Sequence, residues 1–322
     1  MKARLHNIDL IKGFLIFLVI IGHIIPGKID ETFSRYFIYQ FHMPLFIGIS
    51  GFLFNYKSLI TISFKNIFSK YWLRVFIPWI IAVIIYLPFS NIPFLSMKKV
   101  IYRFFLPYYH LWFIPSFLMW VFATVYLKKM KIKTSYIFIF SLIMSILFQF
   151  PRLNETIIFS KTGILGGILW HHSFNFFNYY FYFILGILLK ENLNLKNIKI
   201  NLYLIFSLYI ILDSLLYFFR FCSFEFSYPL KTIFNITLLY ILIYYSTNHL
   251  LPRNKLLEWT GVNSLGLYLW HMLPVFILKK VFPEGNIYIY YSTQILGQVV
   301  LFILYKYLLH YNFFRKYFFG LG

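Results

Sequence analysis

The chain has 322 residues, of which 61% are hydrophobic and only 12% are charged, and its mean hydropathy is +0.73. Soluble domains are nearer to half apolar, so this composition excludes a sizeable soluble domain and indicates a membrane protein.

The formal net charge is +21. No continuous basic tail is present, so we interpret the excess as a topology signal that also attracts anionic lipid headgroups and ligand phosphates, not nucleic acid. The single cysteine excludes an intrachain disulfide and a zinc site built on several thiolates.

The hydrophobic runs predict an all-α fold, a polytopic transmembrane helix bundle with about ten membrane-spanning helices in a single domain, residues 1–322. The stretch 155–170 is predicted as a re-entrant or loop segment because it contains Lys161 and several glycines, with an eleventh helix as the alternative. With the N-terminus inside, more Lys and Arg fall in inner than in outer segments, so both termini are predicted to be cytoplasmic. In chain order, the predicted helices are 8–26, 35–55, 71–89, 110–128, 134–151, 174–190, 201–220, 230–248, 263–281 and 287–310.

The first predicted helix carries three ionisable side chains, Asp9, Lys12 and His23. At ~100° per residue they share one face, and His23 lies ~16 Å beyond Lys12 along the axis. Asp9 and Lys12 are three residues apart and can pair. Because a charge in hydrocarbon costs at least ~2.5–3.5 kcal/mol, we expect this face to line the bundle interior or a wet cavity. The alternative is that Asp9 and Lys12 snorkel at the interface and His23 hydrogen-bonds a neighbouring helix.

The second predicted helix contains His42, in "YQFHMPLFIGISGFLF", at a depth that the sequence predicts to match that of His23. Two imidazoles at one depth can supply a proton acceptor and a positioning group. Pro44 predicts a kink, and Gly48 and Gly51 predict that another helix backbone comes close.

These residues resemble a known family. "IDLIKGFLIFLVIIGH" followed by "FHMPLFIGISGFLF" resembles the opening of acyltransferase family 3, bacterial multi-helix O-acyltransferases that modify surface polysaccharides and related glycans. Three later stretches are similar to family motifs and follow in the same order: "KYWLRVFIPW", "HLWFIPSFL" and "SLGLYLWHMLPV". The resemblance covers nearly the whole chain.

The resemblance implies a multi-pass protein of the bacterial cytoplasmic (inner) membrane that moves an acyl group, usually acetyl, from cytoplasmic acetyl-CoA to a sugar hydroxyl. His23 stands where the family has its first-helix histidine, as catalytic base or as acyl relay, and His42 and Asp9 are the further catalytic candidates. Many members have Arg where this chain has Lys12. Lysine keeps the charge but lacks the bidentate geometry with which arginine grips a phosphate.

Binding candidates follow from what acetyl-CoA and a sugar require. The phosphates of CoA call for cations at the inner helix ends, and the late motif places three polar residues on one helix face beside an acyl channel. The candidates for donor binding are Lys12, Lys70, Arg74, Ser264, Tyr268 and His271. For the sugar they are Trp112, by stacking, and His42. Topology or lipid anchoring for Lys70 and Arg74, and plain packing for Trp112 and His271, are the alternatives.

Two other features of the sequence bear on the site. His171 and His172 are adjacent in a predicted outer loop, but no third ligand accompanies them, so no metal is expected. Asp213 falls inside a predicted span.

Competing functions are a transporter or flippase for polysaccharide or lipid-linked sugar, and a polysaccharide polymerase, which would normally show larger outer loops. The expected partners are a sugar or glycan acceptor, free or lipid-linked, and membrane lipids. The acceptor hydroxyl, the choice between acetyl and succinyl, and the oligomeric state are left open by the sequence.

Overall fold

The computed structural model describes residues 6–29, 31–89, 104–107, 109–149, 163–192, 202–218, 224–248, 251–282 and 285–321. Within those ranges the chain is helical and contains no β-strand. The α-helices in chain order are α1 (His6–Ile24), α2 (Phe33–Leu53), α3 (Phe64–Tyr71), α4 (Ile77–Tyr86), α5 (Phe113–Lys129), α6 (Thr134–Gln149), α7 (Gly163–Glu191), α8 (Leu202–Phe218), α9 (Phe224–Asn248), α10 (Lys255–Val262), α11 (Ser264–Trp270), α12 (Met272–Val281), α13 (Ile287–Leu308) and α14 (Asn312–Tyr317).

Six helical segments of the described chain are long and apolar enough to cross a bilayer, or seven if α10 with the pair α11 and α12 forms one broken span. On α13, Leu296 and Ile303 are each 63% exposed, which suits contact with lipid rather than with water. The all-α, multi-pass class predicted from the sequence is therefore confirmed. The count of about ten spans, the cytoplasmic placement of both termini and the single-domain assignment stay predictions.

The predicted loop or re-entrant segment 155–170 is wrong for its second half. Residues 163–170 form the first turns of α7, and residues 155–162 lie outside the described chain. His171 and His172 belong to the same helix and not to a loop.

The third predicted helix begins seven residues earlier than expected. Ser63 caps α3 by accepting a hydrogen bond from the Asn66 backbone N–H, and a single π-helical stretch, Trp72–Phe76, joins α3 to α4. Pro78 follows this stretch, and it cannot donate a backbone hydrogen bond to the Arg74 carbonyl. Lys70 and Arg74 therefore lie within one helical segment, not at the entrance to it.

The chain divides into two compact units. The first unit comprises residues 1–15, 27–61 and 119–262, and the second comprises residues 16–26, 62–118 and 263–322.

The first unit is organised around the close approach of α2 and α7. A Cβ on Gly51 would collide with the carbonyl of Phe183, and one on Gly186 would collide with the carbonyl of Gly48. Only glycine permits this backbone-to-backbone contact, which confirms the close approach predicted from Gly48 and Gly51.

The second unit is held by polar contacts between its helix ends. The Trp270 indole N–H donates to the Phe318 carbonyl at 3.0 Å, and the Tyr290 hydroxyl donates to the Ile24 carbonyl at 3.0 Å. Gly297 of α13 lies against Pro274 and Leu278 of α12. These contacts fix the last turn of α1 beside α13 and so position His23.

The glycine contact predicts a stability difference. Gly51→Ala should lower the stability of the protein in detergent by about 1–3 kcal/mol, because the new methyl group must displace the Phe183 backbone. Gly285→Ala is the matched control, since no atom lies within 4 Å of the added methyl group there. Thermal unfolding followed by size-exclusion chromatography measures both, and equal stability of the two variants would contradict the packing described.

Candidate active site

Three imidazoles from distant parts of the sequence meet in the second unit. His23 lies in the last turn of α1, His110 lies in the 3₁₀ turn Tyr109–Trp112, and His271 separates α11 from α12. The ring centroids are 4.9 Å apart for His110 and His271, 5.2 Å for His23 and His271, and 6.1 Å for His23 and His110. His110 and His271 are buried, whereas His23 is half-buried. We call these three residues the histidine cluster.

His271 is held at a break in the late helix. Pro274 lacks an N–H and its ring crowds the carbonyl four residues earlier, which accounts for the interruption between Trp270 and Met272. His271 Nδ1 lies 2.8 Å from the Tyr268 carbonyl oxygen, and the Gln298 side-chain amide donates to the His271 carbonyl at 2.8 Å. A carbonyl only accepts, so Nδ1 carries a proton, and in the neutral ring Nε2 carries the lone pair.

His110 uses the other ring nitrogen, Nε2, to donate to a backbone carbonyl. Its Nε2 lies 3.3 Å from the Leu269 carbonyl oxygen, so Nε2–H is the donor and, in the neutral ring, Nδ1 has the lone pair. No described residue hydrogen-bonds that Nδ1. The Tyr268 hydroxyl donates to the His110 carbonyl, and the Tyr86 hydroxyl donates to the Leu269 carbonyl at 2.8 Å. As neutral rings, His271 therefore keeps Nε2 and His110 keeps Nδ1 as the basic nitrogen.

Aromatic rings surround the histidine cluster. The Tyr86 and Tyr268 rings lie 5.4 and 5.5 Å from the His110 ring, and the Phe113 ring lies 5.4 Å from that of Tyr268. Trp112 is half-buried, with its ring 6.3 Å from that of Phe113. These rings bury the His110 side of the cluster, and electrostatic interactions are stronger where polar groups are shielded from water.

The second unit also presents a basic face. Lys70 and Arg74 are exposed on the segment that leads into α4. Helix α14, which carries Arg315 and Lys316, contacts the Trp72–Phe76 stretch, and Gly320 lies directly against the Arg74 carbonyl. We call these four cations the basic face. From Arg74, the chain continues through α4 to Tyr86 beside the histidine cluster, twelve residues or about 18 Å away.

The remaining late-motif candidates also lie in the second unit. Ser264, the first residue of α11, is 6% exposed, and Tyr268 is 3% exposed. Tyr268 contacts two members of the histidine cluster, since its hydroxyl bonds the His110 carbonyl and its own carbonyl accepts from His271.

Asp9, Lys12 and His42 belong to the first unit. Lys12 Nζ lies 3.6 Å from Asp9 Oδ1, which agrees with the pairing predicted from their spacing. Asp9 is 8% exposed, and its carbonyl lies against Gly261 of α10. His42 donates from Nδ1 to the Ile38 carbonyl at 2.6 Å, and its ring lies 5.0 Å from that of Tyr39. The predicted pairing of His42 with His23, and the roles of Asp9 and Lys12 in the chemistry, stay predictions.

Sequence reasoning missed two parts of this arrangement. His110 was noticed only as the first residue of the "HLWFIPSFL" motif, although a histidine at the very start of an apolar run is a signal in itself. The second is the pair Arg315 and Lys316, which the sequence analysis does not include among the candidates for donor binding. Among the residues that the structure describes, no group of three potential ligands is arranged to hold a metal ion.

Comparison with known proteins gives a match over almost the entire chain. A sequence model of the acyltransferase 3 family, described as an acyltransferase domain, matches residues 5–311. The nodulation protein NolL of Sinorhizobium fredii is 48% identical over 52 residues, 14% of this chain and 14% of that protein. NolL of Mesorhizobium japonicum is 50% identical over 54 residues, 15% of this chain and 14% of that protein. The alignments thus span about one seventh of these curated relatives. No solved structure matches the chain.

The hydrogen bonds of the cluster predict its tautomers. In ¹⁵N NMR of protein labelled at the imidazole nitrogens, His271 should give a protonated Nδ1 and an unprotonated Nε2, because Nδ1 faces the Tyr268 carbonyl. His110 should show the reverse pattern. Spectra of His271→Gln and His110→Gln assign the signals, and a doubly protonated His271 at neutral pH would contradict the arrangement.

Proposed function

The chain belongs to acyltransferase family 3, and from that premise we propose that it moves an acyl group, most simply acetyl, from cytoplasmic acyl-CoA to a hydroxyl of a sugar or cell-surface glycan. That the protein is a multi-pass membrane acyltransferase follows from the family and from the apolar helices. The bacterial inner membrane is the proposed location. The relatives' name mentions nodulation and no acceptor, so the acceptor class depends on the family resemblance.

The convergence of His23, His110 and His271 is the observation that carries the proposal. Transfer to an alcohol requires a base that takes the hydroxyl proton while the oxygen attacks the thioester carbonyl. The carbon–sulfur bond then breaks, and the proton passes to the departing CoA thiolate. His23 is the proposed base because it is the only half-buried member of the cluster and lies in the last turn of α1.

The two buried neighbours suit this role for His23. When His23 takes a proton it becomes an imidazolium, a costly charge in a dry site unless a lone pair faces it. His271 Nε2 and His110 Nδ1 each hold a lone pair, since their other nitrogens donate to carbonyls. The same lone pairs support the second route, in which His23 first accepts the acyl group as an acyl-histidine and the sugar hydroxyl then attacks it.

The basic face supports binding of the donor. The several phosphates of CoA favour clustered cations, and arginine binds phosphate in two-pronged fashion. The phosphates of CoA are separated from its thioester by an extended arm. The span of about 18 Å from Arg74 to the Tyr86 end of α4 lets phosphate and thioester bind at opposite ends of one unit.

Loss of His23 should abolish most of the activity. His23→Ala should reduce acetyl-CoA-dependent release of free CoA by about 10²–10⁴-fold, the usual range for a general base. The purified protein is assayed with acetyl-CoA and oligosaccharides released by mild acid from surface glycans of cells that lack the gene. His310→Ala is the matched control, because His310 is exposed in the turn that follows α13. A flippase would move glycan without consuming acetyl-CoA, so that result would contradict the proposal.

Removal of the basic face should weaken donor binding. Arg74→Met, and more so Arg74→Met with Arg315→Met, should raise KM for acetyl-CoA by about tenfold or more while kcat changes little, because a charge-assisted phosphate contact is lost. Lys57→Met, which removes an exposed lysine from the first unit, is the control. An unchanged KM in the double variant would count against this location for CoA.

A further inference from the structure

An unused carboxylate lies inside the first unit. Asp213 of α8 is 1% exposed, and neither of its oxygens has a hydrogen-bond partner among the described residues. A buried charge normally requires a partner, and an ionisable side chain within a membrane-spanning segment is a candidate functional site. The proposed acyl-transfer chemistry makes no use of Asp213.

The residues around Asp213 come from three helix ends. Asp213 lies near the end of α8, Lys231 near the start of α9, and Tyr36 near the start of α2. These ends meet, since the Tyr36 ring lies 5.1 Å from that of Tyr217 in the last turn of α8. Lys231 Nζ lies 4.8 Å from the centroid of the Tyr36 ring.

The two opposite charges are close without being bonded to each other. Asp213 and Lys231 are near enough to interact electrostatically. Asp213 also interacts electrostatically with the hydroxyl groups of Tyr36 and Tyr209. Yet Lys231 does not donate a hydrogen bond to the carboxylate. The hydroxyl of Tyr209, also 1% exposed, has no hydrogen-bond partner in the described chain. We call Tyr36, Tyr209, Asp213 and Lys231 the Asp213 cluster.

The chemistry of the Asp213 cluster excludes several classes of ligand. A metal cation would be repelled by the ammonium of Lys231 and would have only one carboxylate to bind it. An anion would be repelled by the carboxylate of Asp213. A hydrocarbon chain would leave the carboxylate and the Tyr209 hydroxyl unsatisfied. A neutral molecule that bears several hydroxyl groups fits, because each hydroxyl both donates, to Asp213, and accepts, from Lys231 or Tyr209.

Aromatic rings pack edge to face next to the Asp213 cluster. The Phe37 ring lies 5.8 Å from that of Tyr209, and the Phe33 ring lies 5.5 Å from that of Tyr217. Apolar ring faces next to a few fixed polar groups are the usual composition of a small-molecule site.

We propose that the Asp213 cluster binds a sugar residue of the acceptor, with the Asp213 carboxylate accepting hydrogen bonds from its hydroxyl groups and Lys231 donating to them. The choice of a glycan residue as the ligand rests on the proposed function. The site is a recognition site, so no bond is made or broken there.

The test uses Asp213→Asn, which keeps the shape of the side chain but removes its charge, and Lys231→Met as an independent second variant. The probe is the oligosaccharide fraction described above, labelled with 2-aminobenzamide. Fluorescence polarisation with the full-length protein in detergent gives Kd, and the CoA-release assay gives KM for oligosaccharide, KM for acetyl-CoA and kcat. Each variant should weaken oligosaccharide binding and raise its KM by about tenfold or more, with kcat and KM for acetyl-CoA nearly unchanged.

Glu31→Gln is the matched control, since it removes an exposed carboxylate that accepts a hydrogen bond from the Lys28 backbone N–H. Unchanged oligosaccharide Kd and KM in both variants would overturn the inference and indicate that only water fills the cluster. A fall in thermal stability of both variants without a change in KM would assign the cluster a structural role and overturn it equally. If the wild-type protein binds the oligosaccharides but releases no CoA, the proposed function fails while the sugar site stands.

Discussion

The absence of water from the hydrocarbon interior is the constraint on which this structure depends. Every polar group there needs a partner within the protein, so the carbonyl groups near helix breaks become fixed acceptors. The Tyr268 carbonyl accepts a hydrogen bond from His271, and the Leu269 carbonyl accepts from both Tyr86 and His110. The His110 carbonyl accepts from the Tyr268 hydroxyl. The backbone carbonyls at the late-helix break thereby determine which nitrogen of His271, and which nitrogen of His110, remains basic in the neutral ring. A packing requirement of the fold and a chemical requirement of acyl transfer are met by the same few bonds.

The same constraint explains why much of the fold could be predicted from the sequence. Backbone in hydrocarbon must satisfy its own hydrogen bonds, which favours apolar helices, and each of the ten predicted helices overlaps a helix of the structure. Local relations were also accessible, because helix periodicity alone brings Asp9 within reach of Lys12. The glycines of α2 indicated a close contact, although only the structure identifies α7 as its partner. The extra turns of α7 were missed because glycine and lysine were read as signs of a loop.

The histidine cluster shows where sequence reasoning ends. Periodicity places His23 on a polar face of its helix but gives no information on which helix lies opposite. The pairing of His42 with His23, suggested by equal depth, stays a prediction. In the second unit, the imidazoles beside His23 come from positions 110 and 271. Those contacts join residues separated by 87 or more positions, and they depend on how helices pack rather than on any local pattern. The family resemblance pointed to each stretch separately without showing that they meet.

The neutral tautomers of His110 and His271 have a consequence for an energised cell. In these tautomers neither ring carries a net charge, so a resting electric field across the bilayer does no work on them. A proton that arrives at the cluster becomes a charge within that field, where moving one charge fully across the bilayer is worth about 2.3 kcal/mol per 100 mV. The same acyl transfer would then meet a different barrier in a polarised membrane than in a detergent micelle, where no voltage exists.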